Sequence, residues 1–123
     1  MSRYINRPYL NTYLSLGKFV EVFLGRINAD KNILSYLEIK QIKSSKIQIS
    51  IIEHYDEGCL DWVDIYGFSY VRPYEECERI EFSNTEKAIE FIQMRFQLKE
   101  IKFMNQGIIQ EEYKDLLTLE GRT

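Results

Sequence analysis

Glu53, His54, Asp56, Glu57, Asp61 and Asp64 crowd into one short stretch, IIEHYDEGCLDWVDIYGFSYV (51–71), of a 123-residue chain. The same stretch holds the only histidine, the only tryptophan and Cys59, one of two cysteines. Residues of these types support three chemistries. A histidine and carboxylates converging on one point bind a metal ion. A thiol beside an imidazole makes a nucleophile if its surroundings are electropositive. Two carboxylates sharing a face act as general acid and base.

Which of these is open depends on how the stretch folds. Ile47, Ile49 and Ile51 alternate with Gln48 and Ser50, as in a half-buried strand, and Glu57-Gly58 suits a two-residue turn. The resulting hairpin sets Tyr55 opposite Leu60, Glu53 opposite Trp62 and His54 opposite Asp61. A one-residue slip exchanges the faces. Burial therefore selects the register that puts Ile47, Ile49, Ile51, Leu60, Trp62, Tyr66 and Phe68 on the inner side. In that register the histidine and most of the acid pairs lie on different faces, which argues against a metal centre. An acidic hairpin lacks the positive field a reactive thiol needs, which argues against Cys59 and more strongly against Cys77 in EECE. Glu53 and Asp64 interrupt the apolar face on a diagonal and suit an acid–base pair, but a solvated end of the sheet that overhangs the helices is the preferred explanation. All six glycines are isolated, so no phosphate-cradling loop is present. The sequence assigns no catalytic, cofactor-binding or metal-ligating residue, and no cofactor.

Elements on either side must position this stretch. Pro8, with Asn6 as its cap, opens a helix in which Leu10, Tyr13, Gly17, Val20, Leu24 and Ile27 recur at helical spacing. The spacing predicts one helix from about Pro8 to Arg26. Gly17 is its weak point, and KFVEVFL beyond it reads alternatively as a strand. SYLEIKQI, the two arms of the hairpin and CERIEF read as four strands. Ser83-Asn84-Thr85-Glu86 has the form of a capping box and launches TEKAIEFIQMRFQLK, with Ala88, Ile89, Ile92 and Phe96 on one stripe. EIKFMNQG reads as a short strand closed by Gly107, IIQEEYKDLLTL as a final helix and EGRT as a fraying tail. The order α-β-β-β-β-α-β-α describes a single α+β domain over residues 1–123. Its predicted architecture is an antiparallel four- to five-stranded meander, with an N-terminal helix and two C-terminal helices covering one face.

An apolar fraction of 45% with seven Phe and nine Tyr is the composition of a globular domain, not a disordered one. Two cysteines make no disulfide framework, and no secretory leader or membrane span is evident, so a cytoplasmic protein with reduced thiols is expected. The net charge of −3 hides a polarity. Residues 1–50 carry eight basic and three acidic side chains, residues 51–86 two and ten, and the rest six of each. Arg3, Arg7, Lys18, Arg26, Lys40, Lys43 and Lys46 with Tyr4, Tyr9 and Tyr13 could contact phosphates. The acidic third would repel a polyanion, which disfavours direct nucleic-acid binding.

A protein-binding surface is the reading that absorbs the most residues. Glu53, Asp56, Glu57, Asp61 and Asp64 line the hairpin, Glu75, Glu76 and Glu78 follow, and Tyr55 and Tyr74 serve as aromatic anchors while Trp62 packs inward. Aromatic anchors supply binding energy and the charged field speeds encounter. The implied partner is a basic protein, and a second copy of the chain is a further possible contact. The run EHYDEGCLDWVDIYGFSYV followed by IEFSNTEKAIEFI resembles the small cytoplasmic immunity proteins of bacterial toxin–immunity systems, including contact-dependent growth inhibition. That resemblance implies a non-enzyme that binds a cognate, nuclease-like toxin and occludes its active site or substrate groove. The alternative is a regulatory or nucleic-acid-associated protein using the basic first half; the third reading is a metal-dependent hydrolase.

Overall fold

The computed structural model describes residues 3–122. Five strands form one antiparallel sheet: β1 (Val20–Gly25), β2 (Ile33–Gln41), β3 (Ile47–Tyr55), β4 (Glu78–Phe82) and β5 (Met104–Asn105), in the order β4-β3-β2-β1-β5. Helices α1 (Arg7–Ser15), α2 (Thr85–Phe96) and α3 (Ile109–Leu119) complete an α+β fold, one at the N-terminal end and two in the C-terminal third. β2 is the central strand and is buried from Ile33 through Ile39. The edges are blunt, as sheets that avoid pairing with other chains require. β5 has two residues, and β4 carries Glu78, Arg79 and Glu81.

The first helix is half the predicted length. It ends at Ser15 because Gly17 takes a left-handed conformation with φ of 80°. The Lys18 N–H donates to the Tyr13 carbonyl and the Gly17 N–H to that of Leu14, the bond pattern of a Schellman stop. Beyond it FVEVF alternates: Val20 and Val22 enter one core cluster, whereas Glu21 and Phe23 lie on the other face. The strand alternative for KFVEVFL is the correct one. α2 is capped by Asn84, whose Oδ1 accepts the Lys87 N–H at 2.9 Å, one residue beyond the predicted Ser83.

Both faces of the sheet are covered, not one. On the first, α1 and α2 pack Leu10, Leu14, Ala88, Ile89 and Ile92 against Val20, Val22, Leu37, Ile39, Ile47 and Ile49. On the second, α3 packs Ile109, Tyr113 and Leu117 against Leu34, Tyr36 and Ile52. The second cover is completed by an irregular excursion, residues 56–77, between β3 and β4.

That excursion replaces the predicted hairpin. β3 pairs with β2 and β4, and the chain after Tyr55 makes only two isolated bridges, His54 with Tyr70 and Cys59 with Trp62. Ile65 and Phe68 are its buried anchors in the second cluster. The hairpin register fails because β4 takes β3's outer edge at Ile47–Ile51, and the chain returns to that edge only through Ser69–Val71, opposite Glu53–Tyr55. Trp62, predicted to face inward, is 45% exposed.

Gly58 sets the approach of the excursion to α3. A Cβ there would overlap the Phe68 ring and the Trp62 carbonyl and lie 2.7 Å from the Tyr113 hydroxyl. Gly58→Ala is expected to lower stability by about 2–3 kcal/mol through overpacking. Gly17→Ala, with open space around it but a positive φ, should lower it by about 1 kcal/mol. Urea denaturation of the two variants checks the order.

Candidate functional site

The second face of the sheet carries polar groups where a core would be apolar. Glu21 on β1 and Glu38 on β2 are directly opposite one another, and both are buried. Among the described residues no cation pairs with either. Tyrosine hydroxyls from the excursion reach them instead. Tyr66 donates to Glu21 Oε1 at 2.5 Å and Tyr74 to Glu38 Oε1 at 2.6 Å. The Gly107 N–H adds a 3.1 Å bond to Glu21 Oε1, while Glu21 Oε2 is buried with no partner. Burial pushes the Glu21 carboxyl up; the Tyr66 and Gly107 hydrogen bonds pull against it, and the charge of Glu38 adds to the rise.

His54 lies beside this network. Its Nδ1–H donates to the Phe68 carbonyl at 3.0 Å, leaving Nε2 to accept the Tyr36 hydroxyl at 3.2 Å. Its ring stacks on Tyr36 and tilts against Tyr70. Burial pushes the imidazole down, toward the neutral form. With both nitrogens engaged, His54 is a structural histidine. It faces Tyr70, not Asp61. Among the described residues no cluster of His, Cys, Asp or Glu suits a metal ion, and burial pushes the Cys77 thiol up, away from nucleophilic use.

The ten predicted binding residues separate into two groups. Four are committed within the molecule. Asp56, with its side chain 3% exposed, accepts from Arg26 at 2.6 Å and also from Arg122 and Tyr113. Glu78 is held by both terminal nitrogens of Arg95 at 2.9 Å. Tyr74 is spent on Glu38 and stacks under Arg79. Glu53 lies on the first face, with Oε2 accepting the Asn28 amide at 2.9 Å, far from the diagonal pairing with Asp64 that the hairpin required. The tail predicted to fray is pinned through Arg122, while Thr123 lies outside the described residues.

Six remain on the surface. Tyr55, Glu57, Asp61, Asp64, Glu75 and Glu76 are exposed, and the five acids among them form no ion pair with described residues. Glu57 accepts the Ser69 N–H at 2.7 Å, which holds its carboxyl below the usual range. Asp61 sits in the tight turn closed by the reciprocal Cys59–Trp62 backbone bonds. The Asp64 carboxylate and the Trp62 ring meet over Gly67, both within 4 Å of the point a Cβ would occupy there. Trp62, Tyr55 and Tyr70 are 45%, 42% and 40% exposed. Trp62 and Tyr70 were not among the predicted contacts, because the hairpin register turned Trp62 inward.

The basic first half presents a different picture. Arg3 pairs with Glu112 at 2.5 Å and Asp115 at 2.7 Å, Arg7 with Glu86 at 2.9 Å and Arg26 with Glu120 at 2.7 Å. Lys18 lies over the Tyr13 ring at 5.2 Å. Three of the arginines offered as phosphate contacts are therefore engaged. Among the described residues no helix is long and apolar enough to cross a membrane.

No family model, curated protein or solved structure matches this chain.

The two buried acids should titrate with opposite effect. For Asp56, burial opposes ionisation, but the bonds from Arg122, Tyr113 and Arg26 outweigh it and hold the carboxyl below its ordinary value. Its contribution is present above the unfolded value of about 3.9 and is lost as pH falls through the depressed one. Glu21, held high, acts the other way: stability is greatest below about 4.3 and falls as pH rises through its raised value. Glu21→Gln is expected to flatten that decline on the neutral side. Asp56→Asn should remove about 3 kcal/mol at pH 7, the effect of breaking a buried pair. Denaturation across a pH series separates the two.

Proposed function

We propose that this chain is a non-enzymatic protein-binding module that docks the surface of its 57–76 excursion onto a basic partner. The observation that carries the reading is Trp62, 45% exposed, its ring resting edge-on against the buried Phe68 with its free side near the Asp64 carboxylate. It stands in a segment with five acids and a single base, Arg72. A large aromatic ring left in water among unpaired carboxylates is a poor solution for an isolated surface and a good one for an interface. The ring supplies buried area, and the carboxylates select and attract a cationic partner.

The proposed partner is a basic, nuclease-like toxin and the proposed role is that of a cytoplasmic immunity protein. Carboxylates spaced along an irregular segment offer acceptors in place of the phosphates such an enzyme binds, while Trp62 and Tyr70 fill apolar recesses beside its groove. Supporting a non-enzymatic role, the acidic pair Glu21–Glu38 is sealed beneath tyrosines, both His54 nitrogens are engaged and the Cys77 thiol is held protonated.

The partner is sought by affinity capture from the native host with mass spectrometry, and association is then followed by stopped flow over a salt series. Reversing Asp61, Asp64 and Glu75 to Lys is expected to slow association about tenfold or more at low salt and to flatten the salt dependence. Trp62→Ala should weaken binding by about 2 kcal/mol, chiefly through faster dissociation. Equal association rates for the wild type and the triple variant at every salt concentration would count against the proposal.

A further inference from the structure

On the first face of the sheet, past the C-terminal end of α2, the strands continue without a helix above them. A groove of about 510 Å³ opens there, in the size range of small-molecule sites. Its floor is Ser35, Ile51 and Glu53; its walls include Arg72 from the excursion and Arg95 and Phe96 from the end of α2. Ser35 and Glu53 are paired neighbours on β2 and β3.

The charges of this groove are unequally satisfied. Arg95 is neutralised by Glu78 through two 2.9 Å bonds. Arg72 makes no hydrogen bond or ion pair among the described residues, though its charge is felt by Glu78, which also lines the groove and is already held by Arg95. Glu53 uses Oε2 for the Asn28 amide, and Oε1 has no partner there. Ser35 is fully buried and its hydroxyl has no partner. A cation without an ion pair and a half-used carboxylate thus stand beside the apolar surfaces of Ile51 and Phe96. Arg72 and Glu53 are close along the chain's course, since the Val71 N–H donates to the Glu53 carbonyl at 3.1 Å.

We propose that this groove binds a small amphipathic zwitterion, an apolar α-amino acid. Its carboxylate meets Arg72, its ammonium meets Glu53 and its side chain lies on Ile51 and Phe96. A simple anion would leave Glu53 facing like charge, and a simple cation would do the same to Arg72. A zwitterion satisfies both, and guanidinium–carboxylate pairing is among the stronger polar contacts available. The site is separate from the docking surface around Trp62, so either can hold without the other.

The test is a titration of the full chain with L-phenylalanine, read by amide chemical shifts. Saturable shifts at Ser35, Ile51 and Gln97 are expected, with millimolar or tighter affinity. Arg72→Gln and Glu53→Gln should each weaken binding about tenfold or more. N-acetyl-phenylalanine, lacking the ammonium, and phenylalaninamide, lacking the carboxylate, should lose a similar factor. Absence of saturable shifts in the groove, or equal binding of phenylalanine and both analogues by the wild-type protein, would overturn the proposal. Because Arg72 is exposed and the analogue comparison uses the unaltered chain, loss of fold does not mimic either result.

Discussion

Burying two carboxylates opposite one another in a sheet, with no cation at hand, is the constraint around which the second face of this protein is built. Desolvating an ionised carboxylate is expensive unless strong hydrogen bonds replace water. Here those bonds come from Tyr66 and Tyr74, which belong to the excursion and not to the sheet. The arrangement works in both directions. The tyrosines make Glu21 and Glu38 tolerable in the interior, and the glutamates fix an irregular segment at two points on the central strands. Asp56 fixes its start and the Phe68 carbonyl on His54 fixes its middle. A segment without strands is thereby held in one conformation, with its remaining acids and aromatics displayed outward.

The distribution of charge along the sequence follows from the same economy of partners. Among the described residues the three arginines of the first half are matched internally, Arg3 to Glu112 and Asp115, Arg7 to Glu86 and Arg26 to Glu120, whereas its five lysines form no ion pair. The excursion likewise keeps five acids, Glu57, Asp61, Asp64, Glu75 and Glu76, without an ion pair among the described residues, so charge of both signs stays on the surface in separate stretches. The net charge of the whole chain, −3, conceals this.

Much of the fold was legible. The alternation of Ile47, Ile49 and Ile51, the stripe of Ala88, Ile89 and Ile92, and the spacing of Ile109, Tyr113 and Leu117 each announce the element they form, because burial on one side imposes a period. The element order was also right, but partly by compensation. The strand in KFVEVFL was legible only as the alternative to a longer helix, because Leu and Phe at helical spacing mimic a helix that Gly17 stops. Another was supplied in error at residues 60–71, where apolar residues at even positions mimic a strand. The even positions there do not share a face, since Phe68 is buried and Trp62 is 45% exposed, and only Ser69–Val71 return to pair with the end of β3. Of the site, the exposed acids were readable from composition. That Asp56 and Glu78 have internal partners was not, since Arg122 and Arg95 are distant in sequence and only the tertiary fold joins them. Glu21 and Glu38 gave a faint signal, a single acid in the middle of each apolar alternation.

The bond between Asp56 and Arg122 spans 66 positions, and those from Arg3 and Tyr4 to Glu112 span more than 100. A chain made from its N-terminus can assemble β1 to β4 as a meander while synthesis continues, since each strand follows its neighbour. The second face cannot close until α3 has emerged, for α3 supplies its cover and Arg122 its last ion pair. Between those moments Leu34, Tyr36 and Ile52 have only the excursion, through Ile65 and Phe68, to cover them. A nascent chain of this order therefore holds the second face incompletely covered until its last helix is made, and incompletely covered apolar surface is what makes folding intermediates prone to associate.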